Sequence, residues 1–355
     1  MITYIIRRLL LVPVLLFGVT LVIFFMLQFL SPADRAALYI RDIPKNPNQI
    51  EGTIRRYGLD KPLPTQYWKW LVGIEDPNHP GVILGGVLRG QLGFSRTMAQ
   101  PVAEAIAQRF PATAELALWS YLPIIGIGVW LGMQAAINHN KFIDQLARVF
   151  SIIGYSFPVF VFGLLVLMLF YAKLHWLMPG RVSDWVTGEI INGTFPIHTK
   201  LITLDALLNG RFDVFLDAVR HLILPIITLS YISWAQFLRI TRASMLESLG
   251  QDYMTTAKAK GVSRRDQINK HALPNALIPV ATIAGFTVVG LLGGVIITET
   301  IFTYPGIGSA AARAAAQLDV VTVLGFALFN GTILIIANVI VDVLYAVIDP
   351  RVRLS

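Results

Sequence analysis

The sequence predicts an all-α polytopic membrane protein with six transmembrane helices and both termini in the cytoplasm. Three observations carry that expectation. Of 355 residues, 55% are hydrophobic and only 14% charged, against about 25% charged in soluble proteins. Six apolar runs are each long enough to cross about 30 Å of hydrocarbon. Basic residues also concentrate in the short segments that become cytoplasmic if the N-terminus lies inside, namely Arg7, Arg8, Lys141, Arg148, the stretch 239–270, Arg351 and Arg353.

The first run is Leu9–Leu30. Arg7-Arg8 before it imitates a secretory signal, but about 22 residues is too long for a signal core, and Ser31-Pro32-Ala33-Asp34 is a poor cleavage site. Residues 1–30 therefore read as an uncleaved first span. Residues 31–113 form an extracytoplasmic region too long for a plain connector, so it should fold. Within it, Tyr67, Trp68 and Trp70 suit a helix at the membrane interface, where amphipathic aromatics settle.

Residues 114–355 hold the remaining five runs: Ala114–Ile137, Val149–Leu174, Val219–Ile240, Leu277–Ile301 and Val320–Ile348. An extracytoplasmic insert, 175–218, is punctuated by the turn dipeptides Pro179-Gly180 and Asn209-Gly210. Thr203–Leu208 and Phe212–Val219 read as short helices in it, and Asn192-Gly193-Thr194 as a turn. Every run carries or abuts a proline: Pro13, Pro123, Pro158, Pro225, Pro279 and Pro350. Glycines four apart, Gly128/Gly132 and Gly290/Gly294, permit close helix approach.

The cytoplasmic loop 242–276 is the most informative segment. Arg239, Arg242, Lys258, Lys260, Arg264, Arg265 and Lys270 crowd in or just before it. Each would cost roughly 2.5–3.5 kcal/mol at a bilayer centre, so the loop lies in water. Asp252–Lys260 favours helix, and Gly261 stands where a C-terminal cap takes positive φ. Ser263 can cap a second short helix, with Asp266 three residues on. Pro274 should break that helix or redirect the chain into the next span. The pattern is helix, tight turn, helix, stop: a rigid element suited to a soluble partner.

Its spacing is Thr255-Thr256-Ala257, three residues, Gly261, nine residues, then His271-Ala272-Leu273-Pro274. That spacing resembles the E-A-A, x3, G, x9, I-x-L-P signature of ATP-binding-cassette importer permeases, with Thr255, Thr256 and His271 as departures. Four further segments extend the resemblance over nearly the whole chain: RRYGLDKPLPTQYWKWL at Arg55–Leu71, GQLGFSRT at Gly90–Thr97, ETIFTYPGIG at Glu299–Gly308 and DVLYAVIDPRVR at Asp342–Arg353. They are similar to the first permease subunit of dipeptide, oligopeptide or nickel importers of the bacterial inner membrane. The resemblance implies a loop that docks on an ATPase, with Ala257, Lys260, Gly261, Arg264, Arg265, Asp266, Leu273 and Pro274 in the coupling element. It implies as partners a second homologous permease, two cytoplasmic ATPases that bind ATP and Mg, an extracytoplasmic binding protein and membrane lipid. Alternating access is then a population shift driven from outside this chain. Glu299, Phe302, Pro305, Gly306 and Asp342 are candidates for the translocation path or a gate.

Several chemistries are unsupported. There is no Cys and no G-x-x-x-x-G-K-[ST] phosphate loop. Gly154-Tyr155-Ser156-Phe157-Pro158 fails the nucleophile-elbow pattern at its last position. The six His are scattered without the spacing of a metal site, and no basic stripe interleaved with aromatics points to nucleic acid. The chain is expected to be neither an enzyme nor a holder of a cofactor. A proton-coupled secondary carrier is the alternative. Asp342 would be its relay, with Glu299 at an outer rim. Against it stand the few charges within the apolar runs and the ordered loop; Asp342 is expected instead to pair with Arg351, Arg353 or a neighbouring helix.

Overall fold

A computed structural model describes residues 2–40, 47–76, 79 and 81–348. Asp349, Pro350, Arg351 and Arg353 lie outside the described residues, so the end of the DVLYAVIDPRVR segment does too. Among the described residues the regular structure is helical apart from two ladders of two-residue strands. Ile74 pairs with Leu84 and Glu75 with Ile83; Phe94 pairs with Pro101 and Ser95 with Gln100.

Helix α1, Ile2–Leu27, is followed by α2, Pro32–Ala37, α3, Pro47–Tyr57, and α4, Leu63–Val72. Ser31 caps α2 by accepting the Asp34 N–H. Helix α4 carries Tyr67, Trp68 and Trp70. It lies against the end of α1, where the Tyr67 hydroxyl is 2.8 Å from the Thr20 hydroxyl and its ring meets Phe17 and Phe24 edge-on.

Helix α5 runs from Val102 to Ile137, a length of 36 residues. It starts well before the expected Ala114, because Pro101 ends the small ladder in an extended conformation and leaves Val102 free to begin the helix. The expected third span is two helices, α6, Phe142–Ser156, and α7, Val159–Leu167, bent by 102°. The bend has a local cause. Phe157 precedes Pro158, which disfavours helical ψ, and Phe157 sits extended at ψ 119°. A π-helical turn, Met168–Lys173, closes that arm.

The insert holds α8, Asp184–Ile191, and α9, Ile202–Leu208. Phe212–Val219, read as a short helix, is instead the first part of α10, Phe212–Leu249. With 38 residues, α10 is about 57 Å long at 1.5 Å per residue. It is the central column: α5, α6, α7, α9 and α13 all touch it. Helices α11, Asp252–Ala259, α12, Arg264–Asp266, and α13, Leu273–Leu292, follow.

The expected fifth span ends early. Gly293-Gly294 stops α13, and Gly294 adopts φ +93°, which a β-carbon would resist. The apolar residues beyond it form α14, Ile296–Ile301, a separate short helix. A turn leads to α15, Ile307–Ala316, and then to α16, Val320–Ile348.

Among the described residues, four helical segments are long and apolar enough to cross a membrane: within α1, α5, the continuous stretch Arg264–Leu292, and α16; the bent α6–α7 pair could be a fifth. The expected run Val219–Ile240 lies in α10, whose buried Thr228, Ser230 and Thr241 make it more polar. The bundle has two distinct ends. One carries the α5–α6 turn and the 242–276 loop, the other carries residues 31–101, the insert and 302–319.

Contact between α5 and α10 depends on glycine. A β-carbon on Gly128 would come within 2.5 Å of Cβ of Phe237; one on Gly132 would come within 2.6 Å of Cβ of Thr241 and 2.7 Å of the Leu238 carbonyl oxygen. Gly128 and Gly132 therefore let two backbones approach. Of the other pair, Gly294 sits against the backbone of Gly308 while Gly290 faces open space. Ile124, Phe237, Val280 and Leu291 fill the core between α5, α10 and α13.

Candidate functional site

The loop end is built around a helical hairpin. Helix α11 stops in a Schellman arrangement: the Val262 N–H donates to the Ala257 carbonyl at 3.1 Å and the Gly261 N–H to the Lys258 carbonyl at 3.0 Å. Gly261 takes φ +75° with open space around its α-carbon, so the demand for glycine is conformational, not steric. Ser263 accepts the Asp266 N–H at 3.2 Å and caps α12. The Gln267 side chain returns to the Val262 carbonyl at 2.7 Å and braces the turn.

The second arm differs from the expected short, stopped helix. It continues from α12 through a π-helical turn, Gln267–Ala272, directly into α13. Pro274 therefore does not end the helix. The wider turn before it loosens the register in which its ring would meet the backbone of the preceding turn. The hairpin is thus the exposed extension of a long apolar helix and moves with it.

Its two faces are distinct. Met254 of α11 is buried with Met245, Ala272, Ala276 and Ala136, with Leu273 against the same cluster, and Ala257 of α11 is buried as well. Tyr253, Thr255, Thr256, Lys258, Lys260, Arg264 and Arg265 are exposed. Asp266 is partly exposed and pairs with Lys270 at 3.0 Å, and Pro274 is exposed. Of the expected coupling residues, Leu273 packs on the cluster that seats the hairpin, Ala257 is buried, Gly261 shapes the turn, and Lys260, Arg264 and Arg265 face outward.

A buried charge cluster adjoins this hairpin. Asp144 of α6 is fully buried. Arg242 of α10 grips it as a fork, Nε to Oδ1 at 2.6 Å and Nη2 to Oδ2 at 2.9 Å. The Asn140 N–H donates to it at 2.9 Å, and Arg148 and His139 lie 3.5 Å away. The cluster ties the α5–α6 turn to α10 directly above the hairpin's apolar seat.

At the opposite end, Glu299, Phe302, Pro305 and Gly306 do come together, but in a buried turn and not at an exposed rim. Glu299 is fully buried, accepting the Thr113 hydroxyl at 2.8 Å and the Ser309 N–H at 2.8 Å. Thr113 in turn accepts the Ile307 N–H at 2.9 Å. Side chains on Gly306 or Gly308 would collide with the Glu299 carboxylate, so the spacing of acid and glycines is a packing requirement. Phe302 is buried against Val166 and Leu224, and its carbonyl accepts the Gly180 N–H at 2.7 Å.

Glu115 binds α5 to the insert. It accepts Arg181 Nε at 2.8 Å, the Thr203 N–H at 2.7 Å and hydroxyl at 2.8 Å, and the Tyr304 hydroxyl at 3.3 Å. Burial, with the Glu115 charge beside it, pushes the Tyr304 hydroxyl well above its usual range. Asp319 does the same for the first extramembrane region, accepting the hydroxyls of Ser95 and Thr322 and the Thr97 N–H. Burial pushes Asp319 upward, but hydrogen bonds led by Thr322 outweigh that and hold it below the usual carboxylate range. Asp342 stands apart near the far end of α16, half-exposed and paired with Arg8 of α1 at 3.1 Å.

Sequence reasoning missed Glu115, Asp144, Arg181 and Asp319, and the apolar runs hold more buried acid than expected. Glu115 was visible as a carboxylate just inside the second run. Asp144 and Asp319 sit in stretches resembling ordinary loop ends.

Residues 125–354 match the family model of the binding-protein-dependent transport system inner membrane component, and residues 1–117 match the N-terminal model of the same membrane components. The chain belongs to this family. As such it is a multi-helix permease component of the inner membrane and works with a binding protein. It is 37% identical to the dipeptide transport system permease protein DppB of Escherichia coli over 99% of both chains. It is 38% identical to the di/tripeptide transport system permease protein DppB of Pseudomonas aeruginosa, again over 99% of both. The oligopeptide transport system permease protein AppB of Bacillus subtilis is 33% identical over 99% of this chain and 100% of its own.

The Asp144 cluster yields a stability prediction for this permease. Asp144→Asn leaves Arg242 without its buried counter-charge and should cost about 3–5 kcal/mol. Asp144→Leu with Arg242→Met should recover most of that loss, because neither charge is then stranded. Thermal unfolding of the reconstituted chain checks this; additive losses would show that the pair is not the source of the stability.

Proposed function

We propose that the chain is one of two permease subunits of an ATP-driven importer of di- or oligopeptides. The peptide permeases among its relatives support the peptide class, and the observation that carries the coupling role is the hairpin around Gly261. It has a buried apolar seat and an exposed, basic outer face on an extension of α13. That is what a lever pressed by a soluble subunit requires. In this reading ATP and Mg belong to two cytoplasmic ATPases, and this chain performs no covalent chemistry. A homologous permease completes the pathway, and an extracytoplasmic binding protein delivers substrate to the end formed by 31–113, 175–218 and 302–319.

The topology proposed is six crossings, with both termini and the 242–276 hairpin in the cytoplasm. The Arg8–Asp342 pair supports termini on one side, since it joins the start of α1 to the end of α16. The α6–α7 pair and α10 supply the crossings beyond the four apolar helices. The proton-carrier alternative is not favoured. Glu115, Asp144 and Glu299 are each held by several fixed donors at one end of the bundle or the other, an arrangement suited to locking helices more than to passing protons. Asp342 pairs beside the termini.

Two measurements test this. The chain lacks cysteine, so single substitutions report cleanly. Thr255→Cys should react with an impermeant thiol reagent only from the cytoplasm, and Asn192→Cys only from outside. Reaction of both from one side would overturn the topology.

Gly261→Val would force a branched side chain into positive φ and misplace α11. In the assembled transporter, peptide uptake and substrate-stimulated ATP hydrolysis should fall together while assembly persists. Uptake at the wild-type rate would contradict the coupling role.

A further inference from the structure

We propose that a cavity beside α1 is a binding site for one acidic glycerophospholipid. The cavity encloses about 600 Å3, within the roughly 300–1,000 Å3 of small-molecule sites. Two membrane helices supply its apolar side, with Ile23, Phe24 and Leu27 from α1 and Leu324 and Leu328 from α16. The region between α1 and α5 supplies its polar side, including Arg35 and Lys69. Those two cations line it, and among the described residues no Asp or Glu does.

Arg35 is the decisive residue. Its side chain is only 8% exposed, yet its hydrogen-bond partners are the neutral amides of Gln66, at 2.6 Å, and Gln28. Among the described residues its Nε has no hydrogen-bond partner, and neither has Nε2 of Gln28. A buried guanidinium without a counter-charge is costly, and such groups are normally paired. An anionic headgroup seated here would supply the missing charge and accept from both orphaned nitrogens. Phosphate matches the planar guanidinium fork.

The position selects a lipid over a free anion or a peptide. The cavity begins where the apolar run of α1 gives way to Gln28, Ser31 and Arg35, which is headgroup depth for a spanning helix. Helix α1 lies at the edge of the bundle, with Leu10, Val14, Phe17 and Val22 exposed. A lipid reaching the cavity from the bilayer would set its phosphate on Arg35 and lay an acyl chain along Ile23, Phe24 and Leu27.

Native mass spectrometry of the full transporter, released from nanodiscs of equal phosphatidylglycerol and phosphatidylcholine, tests the site. The wild type should retain one phosphatidylglycerol per copy of this chain in preference to phosphatidylcholine. Arg35→Gln should lower that retention by about tenfold, the ratio for one lost charge-assisted contact, while Arg35→Lys should keep most of it. Leu324→Trp should remove retention by filling the apolar end. If Arg35→Gln fails to assemble, Lys69→Gln carries the same test at a more exposed position. Equal retention of both lipids, undiminished retention in these variants, or displacement by dialanine would each overturn the proposal; the last would make the cavity a peptide site.

Discussion

The close backbone contact between α5 and α10 is the constraint on which the rest of the molecule depends. It exists because Gly128 and Gly132 carry no side chain where Phe237, Leu238 and Thr241 lie. In a bilayer there is little hydrophobic gain from joining two apolar helices, so association relies on close packing and polar contacts. Helix α10 then offers its other faces to α6, α7, α9 and α13. Remove the glycine contact and five helices lose their common support.

Polar clusters at the two ends keep that column from sliding or turning. Asp144 and Arg242 fasten the α5–α6 turn to α10 at the loop end, while Glu115, Arg181 and Glu299 fasten α5 to the insert and the 302–309 turn at the other. Each carboxylate is buried and each has several donors, which is the condition under which buried charge is tolerated. The hairpin sits between Met245 of α10 and Ala136 of α5, beside the Asp144 cluster. A push on α11 is therefore delivered to both halves of the column at once. This gives the coupling proposal its mechanical content.

Much of this was legible in the residues. The membrane class, the capped turn at Gly261 and Ser263, and the helix that carries Tyr67, Trp68 and Trp70 follow from hydropathy, cap chemistry and residue types. What the sequence hid was tertiary. Leu277–Ile301 is one apolar run by composition, yet Gly293-Gly294 divides it, because the backbone must pass close to Gly308. Pro274 looks like a stop, but the π-helical turn before it absorbs the ring. Glu299 looked like a rim residue because hydropathy cannot show that Thr113, from a distant helix, arrives to bond it. Asp144 carries no sequence signal of burial, since its three basic neighbours converge only in the fold.

The central claim is that the hairpin and the α5–α10 column move as one body. Distances between spin labels at Thr255 on α11 and Asn140 in the α5–α6 turn test it most directly, measured by pulsed electron paramagnetic resonance in the assembled transporter. One narrow distribution should appear, unchanged between nucleotide-free and ATP-bound states, while substrate uptake proceeds normally. A distribution that broadens or shifts with ATP would mean that α11 swings independently of the column and that the lever account is wrong.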